Sequence, residues 1–509
     1  MGQQKTYADL MNEITPSELY EGLLAYGLFA EQLPPIFTGK IFFDYCQSKN
    51  PSFPKDPTDY IPYENMRNVN VPRPLGIPNP ASYQRLCKSV SDNWSMLQAH
   101  FQDATSSNKY KISRIHIRKI KNNPCLFEMN YNNWRVDGTP EPDLLIGSEY
   151  LVKADISNCF PSIYSHALSW ALVGKDMAKQ TQSNRSKWYN ILDTCTRNIQ
   201  YGETHGLIIG PHVSNLLSEI ILVKIDKALS EKGYKYIRNI DDYSCYAKTH
   251  EEGQSFLVSL NQQLRFYGLS LNHKKTEIAE LPAAAVEQWV RRVNAFTAFD
   301  KKARMNYKEV QAYLDLAVEL MQENGGNSAV LKYVIKVLSK KRLTANAKEY
   351  CVKTIMHLTL IYPYLVTLLE KSVFRAFSVK ADTIESFSQM LFEAGKNSLN
   401  YEEMCFSVYF AVKYNFTLSG IDFDEIKGCN HCLLLLVAFL YHKEQKNKTQ
   451  LRLFRNYAET LMQTDMNAYW LFIYEALPQS KLIDYWVDMK KSKVSFISIN
   501  KTEQGVQII

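Results

Sequence analysis

The sequence predicts an α+β fold in which a sheet-forming first half is followed by an all-helical second half. Residues 150–278 contain, in order, an apolar strand, two helical segments, a strand-turn-strand hairpin, a helix and a last strand. This order is typical of a split βαββαβ sheet. Residues 310–441 repeat apolar residues at three- and four-residue spacing between short loops, which predicts successive amphipathic helices. We expect three parts: a helical segment 1–60, a sheet domain 61–285 and a helical domain 286–509.

Composition favours a protein of the cytoplasm over a membrane or secreted one. The 509 residues are 46% hydrophobic and 22% charged, and the net charge of +7 permits nucleic-acid binding without requiring it. The ten cysteines show no paired framework spacing, and no signal segment opens the chain. The longest apolar run, 432–441, is too short to cross a bilayer. We therefore expect free thiols, a reducing compartment and no membrane partner.

Two stretches before residue 122 have features of phosphate binding. Four prolines in 69–80 force an extended chain that would present the Arg73 guanidinium rigidly, either to a triphosphate or simply to solvent. Residues 109–121 thread isoleucines through six lysines and arginines. This pattern predicts one or two strands with a cationic face, which could follow a phosphate backbone or be a solvated edge strand.

Three aspartates at the ends of predicted strands are the candidate metal ligands. Asp241 and Asp242 would occupy the tip of the hairpin 236–246, and Asp155 ends an apolar strand. Adjacent carboxylates repel each other, and a hard divalent cation such as magnesium relieves the repulsion, although an Asp-Asp pair taken alone is more often a solvated turn. Phe160, five residues beyond Asp155, would lie beside that carboxylate, where its ring could crowd a sugar 2′-hydroxyl.

The ordered motifs between residues 70 and 280 resemble the fingers and palm of reverse transcriptases. The motifs are Arg73 with Ile77-Pro78, Asp155 with Phe160, the Gly210-Pro211 loop and its helix, Ile240-Asp241-Asp242, and Leu271-Asn272 with Lys275-Thr276. The resemblance implies a polymerase that uses two magnesium ions held by Asp155 and Asp241 and supported by Asp242.

The same resemblance implies roles for the residues around those acids. Lys275 would steady the triphosphate or donate a proton to the departing pyrophosphate, and Arg73 would grip the nucleotide from the fingers. Gly210 belongs to the nucleotide-binding set, and Phe160 matches the position that selects deoxynucleotides.

Two departures narrow the resemblance. Where template-copying members carry a glutamine before the glycine of the middle loop, this chain has Thr204-His205-Gly206, and about 220 residues of helix-forming sequence replace the compact thumb. The segment 362–369 resembles the second helix of a HEAT-like pair, so an irregular helical-repeat array or a plain bundle is expected. A palm followed by such an array resembles the abortive-infection (Abi) reverse transcriptases, AbiK-like phage-defence polymerases of bacteria.

This second resemblance implies how the chain would act. Such polymerases make DNA from dNTPs without a template, prime on a protein tyrosine and leave single-stranded DNA covalently attached, and they assemble as trimers or hexamers in the bacterial cytoplasm. A primer must reach the metals on a mobile segment, which favours Tyr7 in the polar N-terminus, with Tyr20, Tyr26 and Tyr45 as alternatives. The alternatives are a templated RNA-directed DNA polymerase and a non-catalytic helical-repeat interaction protein with a relic palm.

Overall fold

A computed structural model of the protein describes residues 5–67, 71–114, 117–119, 126, 138–282, 284, 286–298 and 304–499. Parts of two predicted stretches lie outside the described residues, namely 69–70 of the proline-rich stretch and 115, 116, 120 and 121 of the basic stretch. Within the basic stretch, Lys111, Arg114 and Arg118 are buried. The interpretation of that stretch as a solvated cationic face is therefore wrong for these three side chains.

Six strands form two sheets in the described part of the chain. Strands β1 (Tyr60–Met66) and β2 (Pro72–Pro78) pair as an antiparallel hairpin. Strands β3 (Tyr150–Asp155), β4 (Tyr236–Asn239), β5 (Asp242–Ala247) and β6 (Glu277–Glu280) form an antiparallel sheet in the order β4-β5-β3-β6. Strand β3 therefore lies inside the sheet, between the 236–247 hairpin (β4 and β5) and β6. This confirms the predicted βαββαβ arrangement.

The helices of the first half bury one face of this sheet. The helix His212–Glu231 contributes the largest number of buried residues among them, because its apolar residues recur on nearly every side. The first sixty residues join the same core, since the Tyr83 hydroxyl donates to the Leu23 and Gly27 carbonyls. The helices are Tyr7–Asn12, Pro16–Leu24, Lys40–Lys49, Pro80–Asp92, Trp94–Thr105, Glu141–Leu145, Cys159–Ser162, His166–Val173, Lys175–Gln180, Trp188–Asn198, His212–Glu231 and His250–Phe266.

The helical half, residues 286–499, contains helices and isolated bridges but no extended strand among its described residues. Successive helices pack mainly on their neighbours along the chain, and a π-helical segment, Glu370–Arg375, follows the break at Pro363. An all-helical second half is confirmed, whereas a HEAT-like repeat stays a prediction. The helices are Gln288–Ala298, Tyr307–Glu323, Ser328–Leu338, Ala345–Ile361, Val366–Leu369, Ala381–Ser398, Tyr401–Tyr414, Phe423–Ile426, Cys432–Glu444, Lys448–Thr464, Met466–Ala476 and Asp484–Lys491.

The helical half is fastened to the first half at several places. Near its middle, the buried Glu402 accepts hydrogen bonds from the Asn65 side chain and from the Met66 backbone N–H (2.8 Å) in β1. At its end, Thr38 N–H donates to the Phe496 carbonyl (2.9 Å) and Ser498 N–H to the Ile36 carbonyl (2.7 Å). The helices therefore close around the β1–β2 hairpin instead of extending away from it.

The length and hydropathy of the helices can be compared with what a membrane span requires. Among the helices that the structure describes, none combines the length and the apolar character needed to cross a bilayer. The apolar run 432–441 belongs to the helix Cys432–Glu444, whose apolar side chains are buried inside the protein.

Candidate active site

The three predicted aspartates meet at one edge of the four-stranded sheet. Asp155 at the end of β3 is the register partner of Asp242 at the start of β5. Ile156 N–H donates to the Asp241 carbonyl (3.1 Å), which fixes the tip of the 236–247 hairpin against the residue after Asp155. Acids that are 86 residues or more apart in the sequence are thus brought together by strand pairing.

Asp155 is buried and is held by two side chains from the segment before β6. The Lys275 ammonium lies 2.6 Å from Asp155 Oδ2, and Asn272 Nδ2 donates to Asp155 Oδ1 (3.2 Å). Asn272 N–H also donates to the Asp155 carbonyl (2.8 Å), so backbone and side chain fix this carboxylate together. The Lys275 side chain is 65% exposed and can turn away from Asp155 without disturbing the core.

The three carboxyl groups perturb one another. Desolvation in the cleft, followed by the charges of Asp241 and Asp155, raises the pKa of Asp242 to about 7, although the residue as a whole reaches solvent. Desolvation and the Asp155 charge also raise the pKa of Asp241. The hydrogen bond to Asp155 is the main cause that raises the pKa of Lys275. The cluster therefore holds more negative charge than its surroundings neutralise.

Such a cluster suits a hard divalent cation, because carboxylate oxygens are the ligands that magnesium prefers. Among the described residues, no three acidic, histidine or cysteine side chains already stand in a metal-binding arrangement. One Asp155 oxygen is instead engaged by Lys275 and the other by Asn272. The donor set fits magnesium once the exposed ammonium of Lys275 moves off Asp155.

Arg73 lies close to this cluster, and Phe160 lies five residues beyond Asp155 in the chain. Arg73 is on β2, and its guanidinium is close enough to lower the pKa of Asp241 against the effect of burial. Phe160 is half-buried in the helical turn Cys159–Ser162 that follows Asp155. Its carbonyl accepts a hydrogen bond from Leu207 N–H (2.8 Å), so the glycine loop and this turn are fixed to each other.

Gly210 joins the same loop to the β1–β2 hairpin. Its φ of +127° is a conformation that other residues rarely adopt, and an added Cβ would lie 3.2 Å from the Gly76 carbonyl oxygen. Gly76 N–H donates to the Ile209 carbonyl (2.9 Å) across this contact. Gly210 therefore permits the close approach of loop and hairpin.

Tyr7 is not on a mobile polar segment, and that part of the prediction is wrong. Tyr7 starts the helix Tyr7–Asn12 and is 4% exposed, and its hydroxyl donates to Glu219 Oε1 (2.9 Å) inside the palm. Burial, followed by the Glu219 charge, raises its pKa well above the ordinary value. In this conformation the hydroxyl is occupied and difficult to deprotonate.

Sequence reasoning missed the buried ion network behind the acids. Arg238 of β4 is fully buried and binds Glu219 and Asp226 of the helix His212–Glu231. The signal was available, because Arg238 stands in a short apolar strand, and Glu219 and Asp226 interrupt the apolar stripe of a helix. Charged residues at apolar positions are rarely left without partners.

Comparison with known proteins gives the domain its class. Residues 77–327 match the sequence family described as reverse transcriptase (RNA-dependent DNA polymerase). The chain contains a reverse transcriptase domain. This domain is of the nucleotidyltransferase class, that of reverse-transcriptase-like polymerases. The reverse transcriptase match covers the four-stranded sheet, the three aspartates and Lys275.

Two of the solved structures to which this chain is similar are telomerases. The structure of telomerase from Candida albicans with a fragment of telomeric RNA is 10% identical over 68% of this chain, with a TM-score of 0.27. The apo telomerase from Candida tropicalis is 11% identical over 74% of this chain and 68% of its own, with a TM-score of 0.30. This chain spans 65% of the length of the first of these. No curated protein sequence matches the chain.

Proposed function

We propose that this protein is a DNA polymerase that joins dNTPs by two-metal nucleotidyl transfer, without a template and with a tyrosine hydroxyl of the protein as primer. The observation that carries the proposal is the register pairing of Asp155 with Asp242 beside Asp241, with Lys275 on the Asp155 carboxylate. The proposed biological role, by resemblance to the Abi reverse transcriptases, is abortive-infection defence against phage in the bacterial cytoplasm.

Each side chain has a distinct task in this proposal. Two magnesium ions would supply the charge that activates the priming hydroxyl and stabilises the leaving oxygen. Asp155 and Asp241 would hold them, with Asp242 in support, and Asn272 keeps Asp155 oriented. Lys275, released from Asp155, is exposed enough to reach the triphosphate and protonate the departing pyrophosphate.

Sugar selection is assigned to the turn after Asp155. Phe160 follows that carboxylate by five residues, and the bond from Leu207 N–H to its carbonyl limits movement of the turn. We expect Phe160→Ala to raise incorporation of ribonucleotides about tenfold relative to deoxynucleotides, since removing a steric barrier changes discrimination by one to two orders of magnitude. Phe160→Tyr retains the ring and is the matched control. Equal ribonucleotide use by both variants would remove Phe160 from the proposal.

Two features support synthesis without a template. The middle loop has Thr204-His205 where template-copying enzymes carry glutamine before the glycine. The helical half, in the place of a thumb, is bound to β1 through Glu402, so it is tied to the fingers at this point. A single growing strand needs no clamp for a duplex.

One assay separates this proposal from its rival. Purified protein is incubated with magnesium and labelled dNTPs, with and without an annealed RNA template and DNA primer. Label that stays with the protein through denaturation, without added nucleic acid, supports protein-primed synthesis. Label that depends on the template and primer supports a templated RNA-directed DNA polymerase, the activity that describes the matching family. No incorporation under either condition contradicts both.

The priming residue needs a separate test. Tyr7 stays our prediction, and its priming would require the helix Tyr7–Asn12 to leave the palm, because the hydroxyl is bound to Glu219. Mass spectrometry of nuclease-digested protein should find the nucleotide on Tyr7, and Tyr7→Phe should lose the protein-bound label. Tyr20→Phe, which removes another buried hydroxyl from the N-terminal helices, is the control. An adduct on any other tyrosine would exclude Tyr7.

Assembly is also part of the proposal. The resemblance implies a homo-oligomer, a trimer or a hexamer, with single-stranded DNA product attached to each active chain. Sedimentation analysis of the purified protein across a concentration series would measure the assembly directly, and a monomer at every concentration would contradict it.

A further inference from the structure

The tip of the 236–247 hairpin contains a strained residue next to a metal-ligand candidate. Ile240, directly before Asp241, has a φ of +56°, in the left-handed region. This conformation is unfavourable for a β-branched residue and persists only where the surroundings impose it. The direction of the Asp241 carboxylate depends on this turn, because a change at Ile240 rotates every atom that follows it.

A single side chain holds the strained turn from behind. Arg238 Nη1 donates a hydrogen bond to the Ile240 carbonyl oxygen (2.8 Å). Arg238 lies two residues earlier, on β4, and is fully buried, so its guanidinium lies in the core behind the turn. The bond fixes the peptide that joins Ile240 to Asp241.

The guanidinium is itself fixed by two carboxylates on one helix. Arg238 Nε donates to Asp226 Oδ2 (2.9 Å), and Nη1 and Nη2 donate to the two oxygens of Glu219 (both 3.1 Å). Such a planar fork of donors is geometrically specific, and lysine cannot reproduce it. The helix His212–Glu231, which is the centre of the core, therefore determines where Arg238 points.

Glu219 in turn accepts two hydroxyl donors from other parts of the chain. Ser113 Oγ lies 2.7 Å from Glu219 Oε1, and the Tyr7 hydroxyl 2.9 Å from the same oxygen. The network thus runs from two segments that are distant in sequence, through Glu219 and Arg238, to the peptide before Asp241.

We propose that Arg238 is a positioning residue that holds the Ile240 turn, and through it the Asp241 carboxylate, in the geometry required for nucleotidyl transfer. The inference rests on the proposed role of Asp241. In this role Arg238 contacts neither nucleotide nor metal. The buried charged side chains of Arg238, Glu219 and Asp226 then support the catalytic geometry as well as the core.

Arg238→Lys tests the proposal because it keeps the charge and loses the fork. We expect kcat to fall about 10²-fold with the nucleotide KM nearly unchanged, since misplacement of a catalytic group by about 1 Å has an effect of this size. The magnesium concentration for half-maximal rate should rise. Hydrogen exchange measured by mass spectrometry should be faster in the peptide 236–247. Leu314→Ala, a buried truncation in the helix Tyr307–Glu323, is the control for general destabilisation.

The outcomes separate positioning from simple stability. The proposal is overturned if Arg238→Lys loses no more activity than Leu314→Ala when the two variants have equal melting temperatures. It is also overturned if residues 236–247 of Arg238→Lys keep the hydrogen-exchange protection of the wild type. If Arg238→Lys does not fold, Ser113→Ala decides, because it removes one hydroxyl bond to Glu219 and should slow kcat about threefold with faster exchange in 236–247. Unchanged exchange in that variant overturns the proposal as well.

The exchange measurement also keeps the two hypotheses apart. If the wild-type protein incorporates no nucleotide under any condition, the proposed function fails. The exchange of 236–247 in Arg238→Lys still shows in that case whether Arg238 holds the turn.

Discussion

The acids of the palm and the acid pair of the helical half differ in what surrounds them. Asp241 and Asp242 have raised pKa values because of desolvation and neighbouring carboxylates. Glu402 and Glu403, at the start of the helix Tyr401–Tyr414, have pKa values raised to about 7 and about 8, with burial as the main cause in each. The physical origin is thus shared between the two regions.

The surroundings give the two clusters opposite properties. The palm cluster is open to solvent at Asp242 and faces the exposed ammonium of Lys275. Glu402 and Glu403 are 1% and 2% exposed, and Glu402 is bound by backbone and amide donors from β1. The palm carboxylates can be reached by solvent and ions, so their mutual repulsion is available for cation binding and catalysis. The buried Glu402 and Glu403 cannot be reached in this way, and Glu402 instead joins two parts of the fold. Raised acid pKa values alone do not identify an active site.

The largest expected effect tests the open cluster. Asp241→Asn should lower nucleotide incorporation at least about 10³-fold, because it removes a charge that the reaction requires. Without magnesium its melting temperature should be equal to or above that of the wild type, since one repelling charge is gone. Incorporation assays and thermal unfolding measure both effects. Intact incorporation would contradict the assignment of the open cluster as the active site.

A smaller loss of activity is expected at the lysine that faces Asp155. Lys275→Met should slow incorporation about 10²-fold, the size of a general-acid contribution. Stability should change little, because an exposed ammonium contributes little to folding. Lys274→Met, at the exposed neighbouring position, is the matched control. Equal rates for the two variants would exclude a role for Lys275.

The sealed pair should respond in stability instead of activity. Glu402→Ala should lower the free energy of unfolding by about 2 kcal/mol, because the Asn65 amide and the Met66 N–H lose their acceptor and a cavity remains. Incorporation per folded molecule should persist. Glu319→Ala, at an exposed position of the helix Tyr307–Glu323, should leave stability unchanged. A Glu402→Ala protein of wild-type stability would mean that the contact with β1 contributes nothing.

The pH dependence of stability gives the smallest effect. Because the folded-state pKa values of Glu402 and Glu403 are raised, their stabilisation is complete at low pH and decreases as the pH rises through about 7 and about 8. The free energy of unfolding should therefore fall by about 1 kcal/mol or more between pH 6 and pH 9. Glu402→Gln with Glu403→Gln should flatten this dependence in denaturant titrations. An equal slope in both proteins would place the titrating groups elsewhere.

Local sequence patterns predicted the features that depend on neighbouring residues. The strand ending at Asp155, the hairpin around Asp241 and the helical half all follow from apolar periodicity. The apolar spacing that begins at residue 310 belongs to the helix Tyr307–Glu323, whose earlier start is set by a capping box of Asn306 and Glu309 that hydrophobic spacing does not record. The structure brings together Asp155, Asp241, Asp242 and Lys275 as the sequence predicted, and their catalytic roles stay proposals.

Long-range partners were not predictable in the same way. The environment of Tyr7 was predicted wrongly because most residues in 3–9 are polar. Tyr7, Leu10 and Met11 nevertheless form an apolar stripe on one helix that packs into the core. In the sequence, Glu402 has the pattern of an ordinary exposed acid in the first turn of a helix. In the structure, its hydrogen-bond partners are more than 330 residues away along the chain. A single sequence gives the chemistry of such residues but not the surface that will cover them.

The backbone pairing of residues 36–38 with 496–498 affects how the protein is made. During translation the N-terminal helices leave the ribosome early, but the segment that covers them emerges more than 450 residues later. The rings of Phe29 and Phe42 pack against Phe496, so this contact forms only after Phe496 has been synthesised. A nascent chain therefore exposes part of its N-terminal helices until synthesis has reached residues 496–498.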